Sequence, residues 1–378
     1  MGSSTRETTT GRGEPVLLRF SGSERHCPVT VGQDARLTLP RTWRGEWRHA
    51  AIIGDATVLA LHGEELAGLL RRQGVEVELL PFPAGEAHKT RATKEQLEDR
   101  LSAAGLERGG CIVALGGGLS LDLAGFVAAT YLRGVAHVNV PTSLLAMVDA
   151  AIGGKTGVNT ARGKNLIGAI HQPIAVIVDP HYLATLPAAQ WPAGLAELVK
   201  HAVIADARLF EWIEAHAAAL LGPPWRQGDH PLRRCVEIKG DIVQRDEREQ
   251  GLRSLLNYGH TVGHALEKAT GHALDHGRAV AIGMALEGRV AVELCGFPGS
   301  ELDRLRALLE RLGLPIRPPA DLSLEDLAPF LATDKKRQDG ELRLALPERI
   351  GQMAAPKGRF TVPAPRAALE RAWQEASA

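Results

Sequence analysis

Between residues 16 and 187, short apolar runs alternate with amphipathic ones, and turns rich in Gly, Pro and Asp separate them. A chain with that rhythm builds strands joined by crossover helices, which is the layout of an α/β domain with a parallel sheet. Residues 50–53 end in Gly54-Asp55, residues 75–80 end in a Pro-rich turn, and residues 111–115 end in three glycines, so each run predicts a strand. Residues 138–140 and 175–179 predict two more buried strands. Residues 64–73 and 93–104 carry apolar side chains at helical spacing and predict the crossovers. After Trp191-Pro192-Ala193-Gly194 the pattern changes to long stretches rich in Ala, Leu, Arg and Glu, at 195–204, 232–245, 261–269 and 279–294. The expected division is a mobile tail over 1–14, a Rossmann-like α/β domain over 15–190 and an all-α domain over 191–378, with a late hairpin around 340–346.

A chain of 378 residues has room for two cores. Lys plus Arg and Asp plus Glu both number 44, so no global field attracts nucleic acid or an anionic membrane, and any anion must be bound locally. The four cysteines are scattered, no apolar run reaches the roughly 18 residues of a membrane span, and the start lacks a signal-peptide layout. The expectation is a cytoplasmic protein with no nucleic-acid or membrane partner.

The chemistry is densest at Gly259-His260-Thr261-Val262-Gly263-His264-Ala265-Leu266-Glu267, followed by His276-Gly277. Residues four apart share a helix face, so His260 and His264 can aim at one point and His276 can return after a short turn. Three neutral imidazoles suit zinc, whose catalytic sites keep three protein ligands and one open position. A carboxylate from elsewhere would complete such a set.

Gly116-Gly117-Gly118 follows a predicted strand and opens an apolar helix, where backbone N–H groups can hold a diphosphate; triple glycine is as often a plain tight turn. The dinucleotide fingerprint G-x-G-x-x-G fails because Leu121 takes its last place. Gly153-Gly154-Lys155-Thr156 is not a P-loop, because Asp149 stands where the first glycine is required. Taken alone, Lys155 and Lys164 read as a solvated face.

Read in order, residues 83–89, 116–122, 131–134, 141–145, 149–159, 163–168, 194–200 and the histidine segment resemble the sugar phosphate cyclases, and most closely the 3-dehydroquinate synthase family. The resemblance covers roughly 40–360 and implies an N-terminal domain that binds NAD, a helical domain that carries Zn²⁺ or Co²⁺, and an active site between them. It implies Glu197, His260 and His276 as metal ligands. His264, which spacing alone makes a ligand and which also reads as a core histidine, becomes a substrate contact. NAD-contacting positions are implied at Asp55, Glu86, Lys89, Gly117, Gly118, Asp122, Thr142, Ser143, Lys155, Lys164 and Thr185. The phosphate pocket is implied at Lys155, Asn165, His264 and one of Lys335 or Lys336. Asp149 is expected near the reacting hydroxyls, with Lys200 among the catalytic groups, and Arg133 is expected to reach a neighbouring subunit's site in a homodimer.

The family reaction turns a sugar phosphate into a carbocycle by oxidation, phosphate elimination, reduction and aldol closure, with NAD regenerated in each turnover. Lys239 and Arg253 match residues around a substrate carboxylate, although each also reads as a surface partner of Asp241, Asp246, Glu247 or Glu249. Asn257 matches the synthases that use a carboxylated substrate. The rival activities are the aminodehydroquinate, 2-epi-5-epi-valiolone and 2-deoxy-scyllo-inosose synthase types and, further off, a metal-dependent polyol dehydrogenase. The chain departs from the family at Ser120-Leu121, where a bulky Leu121 threatens the diphosphate approach, at Ser143, and at Arg278, which adds a positive charge after His276-Gly277.

Overall fold

Strands rich in Val, Ile and Ala and buried on both faces need helices on either side. The computed structural model describes residues 15–19, 26–161, 163–332 and 341–377. Residues 1–14, expected as a tail, and Lys335 and Lys336 lie outside them. Among the described residues before Trp191 the strands are β1 (Val16–Arg19), β2 (His26–Val31), β3 (His49–Asp55), β4 (Glu76–Phe82), β5 (Cys111–Gly116), β6 (Ala136–Pro141), β7 (Lys155–Thr160), β8 (Gly163–Ile170) and β9 (Ala175–Val178). Seven form one sheet in the order β1-β2-β9-β6-β5-β3-β4, parallel throughout except for β1 at the edge. Every residue of β5 and β9 is buried, as this architecture requires.

Register decides where the chemistry collects. Gly116 pairs with Pro141, and Ile53 with Ala114, so the ends of β3, β5 and β6 finish together at one edge. Asp55, the triple glycine and Thr142-Ser143 therefore meet at the carboxyl ends of parallel strands, where α/β sheets bind ligands. The helices α1 (Glu64–Arg71), α2 (Arg91–Ala103) and α3 (Gly118–Thr130) follow β3, β4 and β5.

From Trp191 onward the described chain is mostly helical: α4 (Trp191–Ala205), α5 (Ala207–His216), α6 (His230–Arg245), α7 (His260–Ala269), α8 (His276–Cys295), α9 (Gly299–Arg311), α10 (Leu324–Ala332) and α11 (Arg366–Ser377). The helices expected from periodicity are all present, one to a few residues longer or shorter at their ends. The late hairpin lies further on than expected. Pro347–Arg349 pairs with Gln352–Met353, while Arg343–Leu344 pairs instead with Val362–Pro363, because the turn is made at Ile350-Gly351. The antiparallel hairpin β7–β8 was not expected at all; it packs on α3 and carries Lys155, Lys164 and Asn165. No described helix is long and apolar enough to cross a membrane.

Candidate active site

Helix α4 places Glu197, Lys200 and His201 on one face, since residues three and four apart are neighbours on a helix. Helix α7 carries His260, and α8 begins with His276. Gly277 makes the meeting of α8 with α4 possible: a Cβ there would lie 2.3 Å from the Ala193 Cα. The buried Glu287 carboxylate of α8 accepts from Gly259 N at 2.7 Å and Val262 N at 3.0 Å, fixing the start of α7.

These elements bring Glu197, His260 and His276 together, with one ligand atom from each within 4.8 Å of the others. Glu197 Oε1 is 3.2 Å from His260 Nε2 and 3.5 Å from His276 Nε2, while Oε2 meets the Lys200 ammonium. His260 Nδ1 donates to the Tyr258 carbonyl at 3.1 Å, which leaves its Nε2 lone pair facing Glu197. The site favours positive charge. Burial pushes His276 down, yet Glu197 and Glu267 raise it to about 10; burial pushes Glu197 up, yet Lys200 and the histidines hold it well below the usual carboxylate range. Neither Glu197 oxygen, fully buried as both are, has a well-aligned hydrogen bond. One carboxylate and two imidazoles with their Nε2 atoms converging are a donor set for a divalent metal.

The set suggested by histidine spacing alone does not form. His264 lies beside its neighbours, with ring centroids 5.2 Å from His260 and 6.1 Å from His276, but Glu197 takes the third place because α4 packs against α8. Two other groupings are compact, His264 with Glu267 and His276, and Asp149 with Glu197 and His201. The latter is a poor cation site, because Lys239 Nζ is 2.9 Å and Lys200 Nζ 3.8 Å from Asp149 Oδ1.

Asp149 links this cluster to a cavity of about 430 Å³ lined by Asp122, Lys155, Asn165, Lys239 and Arg253 among others. The surface-partner readings of Lys239 and Arg253 are overturned: both are buried, at 6% and 2% exposure. Lys239 donates to the Asp149 carbonyl at 2.6 Å. Burial lowers its pKa to about 8 against the opposing pull of Asp149. Arg253 is held by the Glu247 and Gly153 carbonyls at 2.6 and 3.2 Å, and its Nε has no partner. Lys155 is exposed and bound to Glu249 at 2.6 Å, and Asn257 donates to the other Glu249 oxygen at 3.2 Å. Glu249, which the sequence offered only as a surface partner of Lys239 or Arg253, sits in left-handed backbone at φ 57° and pairs with Lys155 and Asn257.

At the sheet edge, Lys89 is buried and donates to Asp122 at 2.5 Å and to Asn165 at 2.6 Å. Glu86 accepts from Asn159 at 2.6 Å, another residue the sequence did not single out. Asp55 caps the following turn through Thr57 N and Val58 N. Thr142 and Ser143 are buried beside the triple glycine, and Thr185 meets His62 Nε2 at 2.8 Å. Helix α3 starts at Gly118 with no side-chain cap, which leaves its N–H groups for an anion. At Gly116, φ is +149° and a Cβ would lie 2.5 Å from Ser120 Oγ, so only glycine fits that turn. The Leu121 side chain is 2% exposed and packs into the core, so it does not crowd the turn. Arg278 pairs with Asp275 at 3.3 Å and is half exposed. Lys164, also partly exposed, meets Glu267 at 3.7 Å. Arg133 is exposed, does not line the cavity, and sits with Leu132 in left-handed backbone, φ 67° and 50°.

Comparison with known proteins gives this arrangement its context. Residues 79–193 match the 3-dehydroquinate synthase N-terminal family and residues 194–337 the C-terminal one. The 3-dehydroquinate synthase of Synechococcus is 46% identical over 80% of this chain and 83% of that protein. A solved 2-deoxy-scyllo-inosose synthase, complexed with carbaglucose-6-phosphate, NAD⁺ and Co²⁺, superposes with a TM-score of 0.87 at 27% identity, covering 96% of this chain and 100% of that one. The 2-epi-5-epi-valiolone synthase of Streptomyces hygroscopicus, with NAD⁺ and Zn²⁺ bound, gives 0.84 at 33% identity over 95% and 99%.

Proposed function

The chain belongs to the 3-dehydroquinate synthase family, and from that premise we propose that it converts 3-deoxy-D-arabino-heptulosonate 7-phosphate to 3-dehydroquinate and phosphate, as a carbon–oxygen lyase. The observation that carries the reading is the junction at Asp149 and Lys200, which joins a cation-seeking cluster to a cavity holding buried Lys239 and Arg253. A substrate with hydroxyls to oxidise beside a carboxylate to anchor spans that junction.

Zn²⁺ or Co²⁺ held by Glu197, His260 and His276 would acidify a bound hydroxyl and polarise the derived ketone. NAD held at the sheet edge by Asp55, Glu86, Lys89, Gly117, Gly118, Asp122, Thr142, Ser143, Lys164 and Thr185 would accept a hydride and return it in the same turnover. Arg253 presents a planar fork to the substrate carboxylate, and Lys239 adds a point charge. Asp149, kept ionised by Lys239 and Lys200, orients the substrate hydroxyls. Lys155, Asn165 and His264 surround the phosphate, with Lys335 or Lys336 expected to join them. Glu249 must release Lys155 and Asn257 before a substrate anion reaches them.

The division near residue 190 is supported by the last strand of the sheet ending at Val178 and by the two family matches meeting at 193 and 194. A homodimer is supported by exposed Leu132, Leu166, Ile167 and Ile170, apolar side chains that a second copy would cover. A cytoplasmic setting is supported by four unpaired cysteines.

The test is to supply purified protein with the heptulosonate phosphate, NAD and zinc, and to follow phosphate, dehydroquinate and NADH. Stoichiometric phosphate and dehydroquinate without net NADH are expected. Turnover of sedoheptulose 7-phosphate or glucose 6-phosphate in its place overturns the assignment, as does NADH accumulating with a simple polyol.

A further inference from the structure

The His276 ring lies between two carboxylates, and only one of them belongs to the proposed ligand set. Its Nε2 faces Glu197 Oε1 at 3.5 Å and its Nδ1 faces Glu267 Oε2 at 3.4 Å, the long limit of a hydrogen bond. Glu267 stands at i+7 from His260 on α7, with His264 between at i+4, so one stripe of that helix carries all three. The Glu267 side chain is 10% exposed, and its second oxygen meets Lys164 of the β7–β8 hairpin at 3.7 Å. Metal binding requires the neutral imidazole, which has a single N–H. If Nδ1 carries it, Nε2 presents its lone pair toward Glu197; if Nε2 carries it, a metal in that cluster loses a ligand.

We propose that Glu267 is the positioning residue of the metal cluster: it accepts the Nδ1–H of His276, and so fixes the tautomer and ring orientation that aim Nε2 at the ion. The inference builds on the reading of Glu197, His260 and His276 as metal ligands and adds the residue that makes one of them competent. Its anchoring to Lys164 ties that orientation to the hairpin beside the cofactor edge.

The experiment compares wild type, Glu267→Ala and Glu267→Gln, each shown to be folded by its circular dichroism and thermal transition. Zinc affinity is read by competition with a chromogenic chelator, and ligand geometry by the visible absorption of the Co²⁺-loaded proteins. Alanine leaves Nδ1 without an acceptor, so zinc affinity is expected to fall roughly 10- to 100-fold with altered cobalt bands. Glutamine keeps an acceptor oxygen and is expected to restore most of the affinity and the wild-type bands. Alanine binding zinc as tightly as wild type with an unchanged cobalt spectrum overturns the inference. Glutamine as weak as alanine also overturns it, because the carboxylate would then be needed as a ligand or a charge. Wild type failing to bind zinc removes the metal reading itself, a result distinct from either.

Discussion

The acid-and-imidazole cluster and the cationic cavity beside it are held by different kinds of structure. Glu197, His260 and His276 sit on three packed helices, whose starts are fixed by Gly277 against Ala193 and by Glu287 on Gly259. The cavity instead takes Lys155 and Asn165 from a hairpin, with the loop residue Glu249 paired to Lys155, and Lys155 is 57% exposed at its side chain. A site on packed helices keeps its donors aimed before anything binds, whereas a cationic ring partly filled by Glu249 must rearrange to admit an anion. The contrast predicts that substitutions in the cluster abolish chemistry, while those around the cavity grade binding.

The largest effect should come from Glu197→Ala. Losing the only carboxylate of the set should eliminate stoichiometric zinc and cut kcat/KM by about 1,000-fold or more, since metal stabilisation amounts to several kcal/mol. Metal analysis of the purified variant together with phosphate release checks it. A variant that keeps both zinc and turnover breaks the comparison at its firmer end.

A graded effect should appear in the pH profile. Lys239 binds an anion only when protonated, and burial lowers its pKa to about 8, with Asp149 pulling the other way. The charged form therefore dominates below pH 8 and is lost above it, so KM should rise as pH passes 8, by roughly tenfold per unit if Lys239 alone governs binding. In Lys239→Arg the guanidinium stays charged, and this limb should vanish while the rise in KM is replaced by a flat profile. A limb that survives in the arginine variant assigns the titration to another group.

The same contrast explains what the sequence made legible. His260, His264 and His276-Gly277 announce themselves because they are local, and helical spacing is a local property. Glu197 is not local to them: it is aimed by the packing of α4 on α8, and only family resemblance pointed to it. Spacing favoured His264 as a ligand for the same reason, since it cannot see a carboxylate arriving from another helix. Glu249 and His201 carry no such pattern, because a buried acid or imidazole is recognised by its neighbours alone, and Glu267, although it ends the histidine segment, gives no sign in the sequence that it faces His276. β7 and β8 escaped because Gly153-Gly154 and Gly163-Lys164 read as turns, and β8, with Lys164 to Gly168 all exposed, lacks the alternation of a half-buried strand. Lys239 and Arg253 looked like surface charges among acids, and burial of that kind is a tertiary fact.

The smallest effect concerns stability. Lys155 and Glu249 form a 2.6 Å ion pair whose side chains are 57% and 36% exposed, so water and salt screen it and ordering two long side chains offsets its attraction. Breaking it with Glu249→Gln should cost at most about 1 kcal/mol and move Tm by no more than about 2–4 °C, less still in high salt. The buried Lys200–Glu197 pair should weigh more, since removing either member takes the nearest partner from a charge held away from water. Thermal melts of the metal-free Glu249→Gln and Lys200→Met proteins at low and high salt compare the two directly. A loss for Glu249→Gln as large as for Lys200→Met would mean that the cavity is as rigidly built as the cluster, and that Glu249 does not have to move to admit an anion.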